Sequence, residues 1–236
     1  MLGSPKFKKV FLVRFLGYFL IQVGLVTVLL VIEPAITEEL RYALNQLLGK
    51  SYNLPKIVTS AGEVEYTDET PAGGNSSFGS LSFGAAENIV PVSTKFGIVI
   101  EKINANAQVI ANVDPGNEGE YIQALTEGVA HAKGTAFPGD KGNIYLFSHS
   151  TDAPWNIVRY NAIFYLLGKL EVGDRIVMFY QGRRYDYIIF DKAIARPDET
   201  QYLTNSYDES VLTLQTCDPP GTILNRLIVR ARLVRD

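Results

Sequence analysis

One stretch of this chain pairs a residue that could carry covalent chemistry with a cation that could assist it. VLTLQTCDPPGTILNRLIVRARLV, residues 211–234, contains the single cysteine, Cys217, followed closely by Arg226. A lone cysteine is more often a small buried hydrophobe than a nucleophile. The alternation of the first apolar run argues otherwise: Thr213, Gln215 and Cys217 share one face, and Leu212, Leu214 and Thr216 share the other. In the second run Arg226, Arg230 and Arg232 alternate with Leu227, Val229, Ala231 and Leu233, so the arginines take the face turned from the core. If the two runs pair antiparallel, the end of one lies beside the start of the next. At ~3.3 Å per residue Arg230 falls about 13 Å beyond Arg226, which makes Arg226 the arginine within reach of the sulfur.

A nucleophilic thiol needs a partner, because at neutral pH an unperturbed cysteine of pKa ~8.5 is only about 3% thiolate. The partner is usually a histidine, and the chain has two. His149 closes NIYLFSHS (143–150), where a strand end opens onto a loop. His131 sits in the Gly-rich connection GVAHAKG (128–134), ahead of the turn PGDKGN (138–143). The strand terminus favours His149, and on the residues alone His131 stays open.

The elements that must position these groups are mostly strands. FGIVIEKI (96–103), VIANV (109–113), NIYLFSHS (143–150), DRIVMFYQ (174–181), YDYIIFDKAIA (185–195), VLTLQTC (211–217) and RLIVRARLV (226–234) are short, β-branched or aromatic, and bounded by turn residues. EYIQALTEG (120–128) and YNAIFYLLGKL (160–170) read as helices. Some seven strands with brief helical inserts predict a mainly all-β closed barrel or sandwich rather than a βαβ fold.

The first 36 residues differ in kind. Residues 10–32 are almost wholly apolar, with Lys6, Lys8, Lys9 and Arg14 before or at the start and Glu33, Glu38 and Glu39 after. The 18 residues following Arg14 span about 27 Å as a helix, close to the hydrocarbon thickness of a bilayer. The charge asymmetry predicts a single-pass anchor with a cytoplasmic N-terminus and the remainder outside. A cleaved signal peptide is the rival, but Glu33 stands where cleavage would need a small residue. Residues 37–48 predict a separate juxtamembrane helix capped by Thr37. Within 37–90, the Gly/Ser-rich TPAGGNSSFGSLSFGAAEN predicts a flexible linker. Residues 91–236 remain as the folded domain. A net charge of −3 gives no electrostatic footprint for nucleic acid. One cysteine excludes an internal disulfide, and no ligand-pair spacing suggests a metal.

Taken together these segments resemble the sortase family. LTLQTC (212–217) followed by RLIVRA (226–231) is similar to the family's TLxTC…R signature. GVAHAKGTAFPGDKGNIYLFSHS (128–150) resembles its histidine segment, FGIVIEKINANAQVI (96–110) its opening strands and LEVGDRIVMFYQGRRYDYII (170–189) its central hairpin. The resemblance covers roughly residues 91–236. It implies a closed β-barrel of about eight strands with short helices, preceded here by the transmembrane helix. It also implies that Cys217 is the nucleophile, that His149 protonates the departing amine and deprotonates the incoming one, and that Arg226 holds the peptide and the oxyanion. Thr216 would support the site. His131 also falls in a frequent pattern of the family, and we read it as structural.

The implied reaction is transpeptidation at the cell surface. An LPxTG-like C-terminal sorting signal is cleaved through a thioacyl enzyme, and the substrate protein is joined to an amine of a peptidoglycan cross-bridge or a pilin lysine. No cofactor is implied; some family members bind calcium, but no matching acidic cluster is identifiable. The chain departs from the pilin-joining group in lacking an Asp-Pro-aromatic lid in 51–90, and DPPGTILN (218–225) only partly matches that group's loop, so no subclass is assigned. A thiol endopeptidase that only hydrolyses its peptide, and a non-catalytic surface barrel, are the competing functions.

Overall fold

A computed structural model describes residues 5–50, 52–54, 87–150 and 163–234. Its centre is a closed barrel of eight strands. In chain order the elements are helix α1 (Pro5–Leu47), strands β1 (Tyr52–Asn53), β2 (Glu87–Asn88), β3 (Phe96–Ile100) and β4 (Ala105–Val113), and helix α2 (Glu118–Glu127). Then come β5 (Val129–Ala132), β6 (Gly142–Phe147), β7 (Arg175–Tyr180), β8 (Arg183–Ala195), the short helix α3 (Gln201–Thr204), β9 (Ser210–Asp218) and β10 (Asn225–Leu233). Around the barrel the order is β10-β8-β7-β3-β4-β5-β6-β9, and β9 pairs with β10 to close it.

Alternation decides which residues fill the interior. Ile98, Ile144, Leu146, Met178, Leu212, Leu214 and Val229 are fully buried in one cluster. Each contributes about 1.5–3 kcal/mol of burial. Closure also removes exposed sheet edges around the barrel. The turn before β6 depends on glycine: Gly139 (φ +92) and Gly142 (φ +123) adopt backbone angles that a side chain disfavours. That turn sets where β6 begins, and hence where it delivers His149.

The structure corrects several expectations. GVAHAKG is not merely a connection, since Val129–Ala132 form β5, parallel to β4 and antiparallel to β6. Four residues with alanines at alternate places carry too little β propensity to stand out, and the pairing comes from both neighbours. The predicted strand at 96–103 ends at Ile100, with Glu101–Ile103 a 3-10 turn. Of the predicted helix at 160–170, Tyr165–Lys169 form a 3-10 turn, and residues 160–162 lie outside the described residues.

The predicted break between anchor and juxtamembrane helix is absent, and α1 runs unbroken through 33–37. Thr37 is therefore inside the helix and not its cap. Pro34 removes one backbone donor, but helix already formed on both sides carries the chain through. Lys9–Leu30 is long and apolar enough to cross a membrane, at about 33 Å, and none of it is buried in the protein.

The far end of α1 meets the barrel. Glu39 pairs with Lys169 at 2.8 Å, Tyr42 packs on the main core cluster, and Asn45 donates to the Tyr52 hydroxyl. Beyond it Leu54 and Ile89 are buried with Val99, Val177 and Phe179. The expected flexible linker falls largely on 55–86, outside the described residues.

Candidate active site

The site residues are delivered by the seam where β6, β9 and β10 meet. β9 and β10 pair with Cys217 directly opposite Arg226. Arg226 Nη1 lies 3.7 Å from Cys217 Sγ, and the same nitrogen donates to the carbonyls of Ile223 (3.3 Å) and Asn225 (3.1 Å). The guanidinium is thus held by the β9–β10 loop itself. Arg230 and Arg232, further along the strand, are engaged elsewhere: Arg230 with Asp191 at 2.7 Å and Arg232 with Glu209 at 3.0 Å. Among the described residues Arg226 has no carboxylate partner. The antiparallel geometry expected from the sequence is what brings this one arginine to the sulfur.

β6 runs parallel to β9, from Gly142 opposite Ser210 to Phe147 opposite Gln215. Past the end of the strand the seam is extended by one main-chain and one side-chain hydrogen bond. Ser148 N–H donates to the Gln215 carbonyl at 3.2 Å, and Thr216 Oγ1 donates to the Ser148 carbonyl at 3.0 Å. Thr216 therefore ties the residue before the thiol to the residue before His149. The hydroxyls of Ser148 and Ser150 are buried with no hydrogen-bond partner among the described residues.

These elements surround a groove of about 770 Å³. It is lined by Tyr145 and Phe147 of β6 and by Gln215 and Cys217 of β9, together with His149 and Arg226. One wall is Tyr121 and Leu125 of α2, another the segment from Arg196 to Leu203, and the β9–β10 loop supplies Ile223 and Leu224. Those two apolar side chains are 78% and 66% exposed at the groove's mouth. Cys217 and His149 are each half-buried and open to the groove. A second cavity, about 460 Å³ between the end of α1 and residues 101–104, is lined by neither cysteine nor histidine.

Two opposed effects act on the thiol. Burial pushes the Cys217 pKa up, the positive charge of Arg226 pulls it down, and burial prevails. The resting sulfur is mainly a protonated thiol, so it needs a proton acceptor to react near neutrality.

His131 has a different setting. It is fully buried on β5 against Phe96 and Phe137, with ring centroids 5.5 and 4.6 Å away. The Asn112 N–H donates to Nδ1, which leaves Nε2–H to donate to the Ala136 carbonyl at 3.0 Å. Burial lowers its pKa and keeps it neutral. Among the described residues no group of three or more metal-ligating side chains is gathered.

The outer face of β9, read in the sequence simply as polar, is roofed by the 196–203 segment. Thr213 donates to Asn143 Oδ1 at 2.7 Å, and Asn143 Nδ2 donates to the carbonyls of Tyr202 (2.8 Å) and Leu203 (3.2 Å). Tyr145 and the groove wall around α3 were not singled out from the sequence. The only available signal was that Tyr145 and Phe147 alternate onto the face turned from the core.

Comparison with known proteins gives a consistent result. A family model described as the sortase domain matches residues 98–234. Sortase D of Bacillus subtilis (strain 168) is 28% identical over 120 residues, 51% of this chain and 52% of that protein, so the match spans about half the relative's length. Among solved structures, a Sortase D5 transpeptidase of Clostridium perfringens is 27% identical with a TM-score of 0.50, over 60% of this chain and 79% of that one. Sortase C-1 from Actinomyces oris is 27% identical with a TM-score of 0.51, over 61% and 76%.

Proposed function

The chain belongs to the sortase family, and from that premise we propose that it is a membrane-anchored cysteine transpeptidase working through Cys217, His149 and Arg226. The observation that carries the reading is the Arg226 guanidinium 3.7 Å from the lone thiol, in a groove that His149 also lines.

The steps follow from these groups. His149 takes the thiol proton, and the Cys217 sulfur attacks a peptide carbonyl of a C-terminal sorting signal in the groove. The developing oxyanion is stabilised by Arg226, whose fixed charge is worth more in a water-poor cleft than in solution. The C–N bond breaks, His149 protonates the departing amine, and a thioester remains on Cys217. An incoming amine attacks that thioester and gives its proton to His149. The new amide forms and the sulfur leaves. Thr216 positions the sulfur relative to the histidine strand. α1 would hold the barrel at the outer surface of the cell membrane, where an LPxTG-like signal on a substrate protein meets an amine of a cross-bridge or a pilin lysine.

Product analysis separates this from simple hydrolysis. The full chain in detergent, given an LPxTG-like peptide library and triglycine, is expected to yield a glycine-extended product, and Cys217→Ala none. Only free-carboxylate product across a range of amines would make the protein a thiol endopeptidase. Equal product from Cys217→Ala would remove the cysteine from the chemistry.

A further inference from the structure

Two amide side chains lie on the outer face of the β6–β9 seam, and their hydrogen-bonding capacity is filled to different degrees. Asn143 is 5% exposed, accepts from Thr213 and donates twice to the 202–203 carbonyls, so the fold occupies it on both sides. Gln215 is occupied on one side only. Its Oε1 accepts from the Tyr145 hydroxyl, and no group among the described residues takes its amide hydrogens. Gln215 is half-buried and lines the groove with Cys217 and Arg226, so those hydrogens face the space a peptide would fill.

Tyr145 fixes this orientation. Its ring is 5% exposed, and burial raises the phenol pKa so far that it stays a neutral donor at any working pH. With the phenol donating, the carboxamide turns its oxygen inward and its NH2 outward. Gln215 precedes Cys217 by two residues on the same face, about 6.6 Å along the strand. An extended peptide covers that distance in two residues. Resting on the reading that this groove takes a sorting peptide, we propose that Gln215, clamped by Tyr145, is a substrate-binding residue. It donates to an acceptor oxygen of the peptide about two residues from the attacked carbonyl.

The acceptor can be a main-chain carbonyl or an oxygen-bearing side chain, and a peptide series tells them apart. The full chain carrying Cys217→Ala in detergent micelles would be titrated with a fluorescent LPxTG-like peptide. The same titration would be made with Gln215→Met, which keeps the volume without the donors, and with Tyr145→Phe, which releases the clamp. In the parent background kcat and KM would be measured for both variants. Binding is expected to weaken about tenfold in Gln215→Met and about threefold in Tyr145→Phe, with KM rising more than kcat falls.

If the loss in Gln215→Met persists when the peptide side chain at that position is replaced by alanine, the acceptor is main-chain. If alanine abolishes the difference, it is the side chain. Parent-like binding in a folded Gln215→Met, by circular dichroism, would overturn the inference and leave the transpeptidase reading standing. Peptide bound normally but never transferred would overturn that reading and leave this one. A parent groove that binds no library peptide would overturn both.

Discussion

β5 and β6 are hydrogen-bonded neighbours, and each leads to one of the two histidines, yet the two rings have different roles open to them. His131 on β5 has both nitrogens engaged by the main chain and its faces against aromatic rings. His149, just past the end of β6, lies half-buried in the groove that holds the thiol. The arginines of β10 divide the same way. Arg230 is paired to Asp191, whereas Arg226 turns to Cys217. Residue type alone does not make a site in this barrel. A group acts on a substrate only if the fold opens it to the groove, as it does for His149, Cys217 and Arg226.

The contrast is sharpest between the histidines and would break most visibly there. His149→Ala should lose at least about 10³-fold in kcat/KM, the scale of a lost general acid–base, without a comparable loss of stability. His131→Ala should cost about 3 kcal/mol of folding stability, as expected when a buried ring is deleted, while folded protein at low temperature keeps its turnover. Denaturant melts and steady-state rates on both variants decide it. The reversed pattern would move the base to β5.

The next effect concerns the arginines. Arg226→Lys should reduce kcat about 10²-fold, since a point charge does not reproduce the planar fork. Arg230→Lys should change kcat by less than twofold. Equal effects would mean that Arg226 serves the fold rather than the oxyanion.

Smaller shifts are expected with pH. Because burial raises the Cys217 pKa, its alkylation by iodoacetamide should have a midpoint above that of a free cysteine. Arg226→Gln should move the midpoint higher still, because the cation that favours the thiolate is gone. His131 gives the opposite kind of signal, in stability. Its pKa is depressed in the fold, so the unfolded chain takes up the proton first. Stability is full above the unfolded value near ~6.5 and falls as pH drops below it. A His131→Gln variant should show a flatter loss between about pH 6.5 and 5. A slope equal to the parent's would place the acid sensitivity elsewhere.

Much of this arrangement was legible in the sequence where periodicity is strong. The alternation of Leu212, Leu214 and Thr216 against Thr213, Gln215 and Cys217 fixed the faces of β9, and the run after Asn225 fixed those of β10. Their pairing followed from the short connection. What stayed hidden depends on contacts between distant segments. VAHA becomes a strand only because β4 and β6 flank it, so His131 could not be read as a core residue from its neighbours. The wall from Arg196 to Leu203 and the Tyr145–Gln215 hydrogen bond join residues dozens of positions apart, which no local pattern encodes. The unbroken α1 was missed because Thr37, Glu38 and Glu39 read as a helix start, where local capping signals and continued helix compete.

The central claim is that covalent chemistry takes place on Cys217 in this groove. Intact-mass spectrometry of the full chain, quenched in acid during turnover of a sorting-type peptide, tests it most directly. The account predicts a thioacyl adduct that maps to Cys217, is absent in Cys217→Ala and is discharged by added triglycine. Turnover of the peptide with no adduct on the cysteine, even in single-turnover samples, would contradict it.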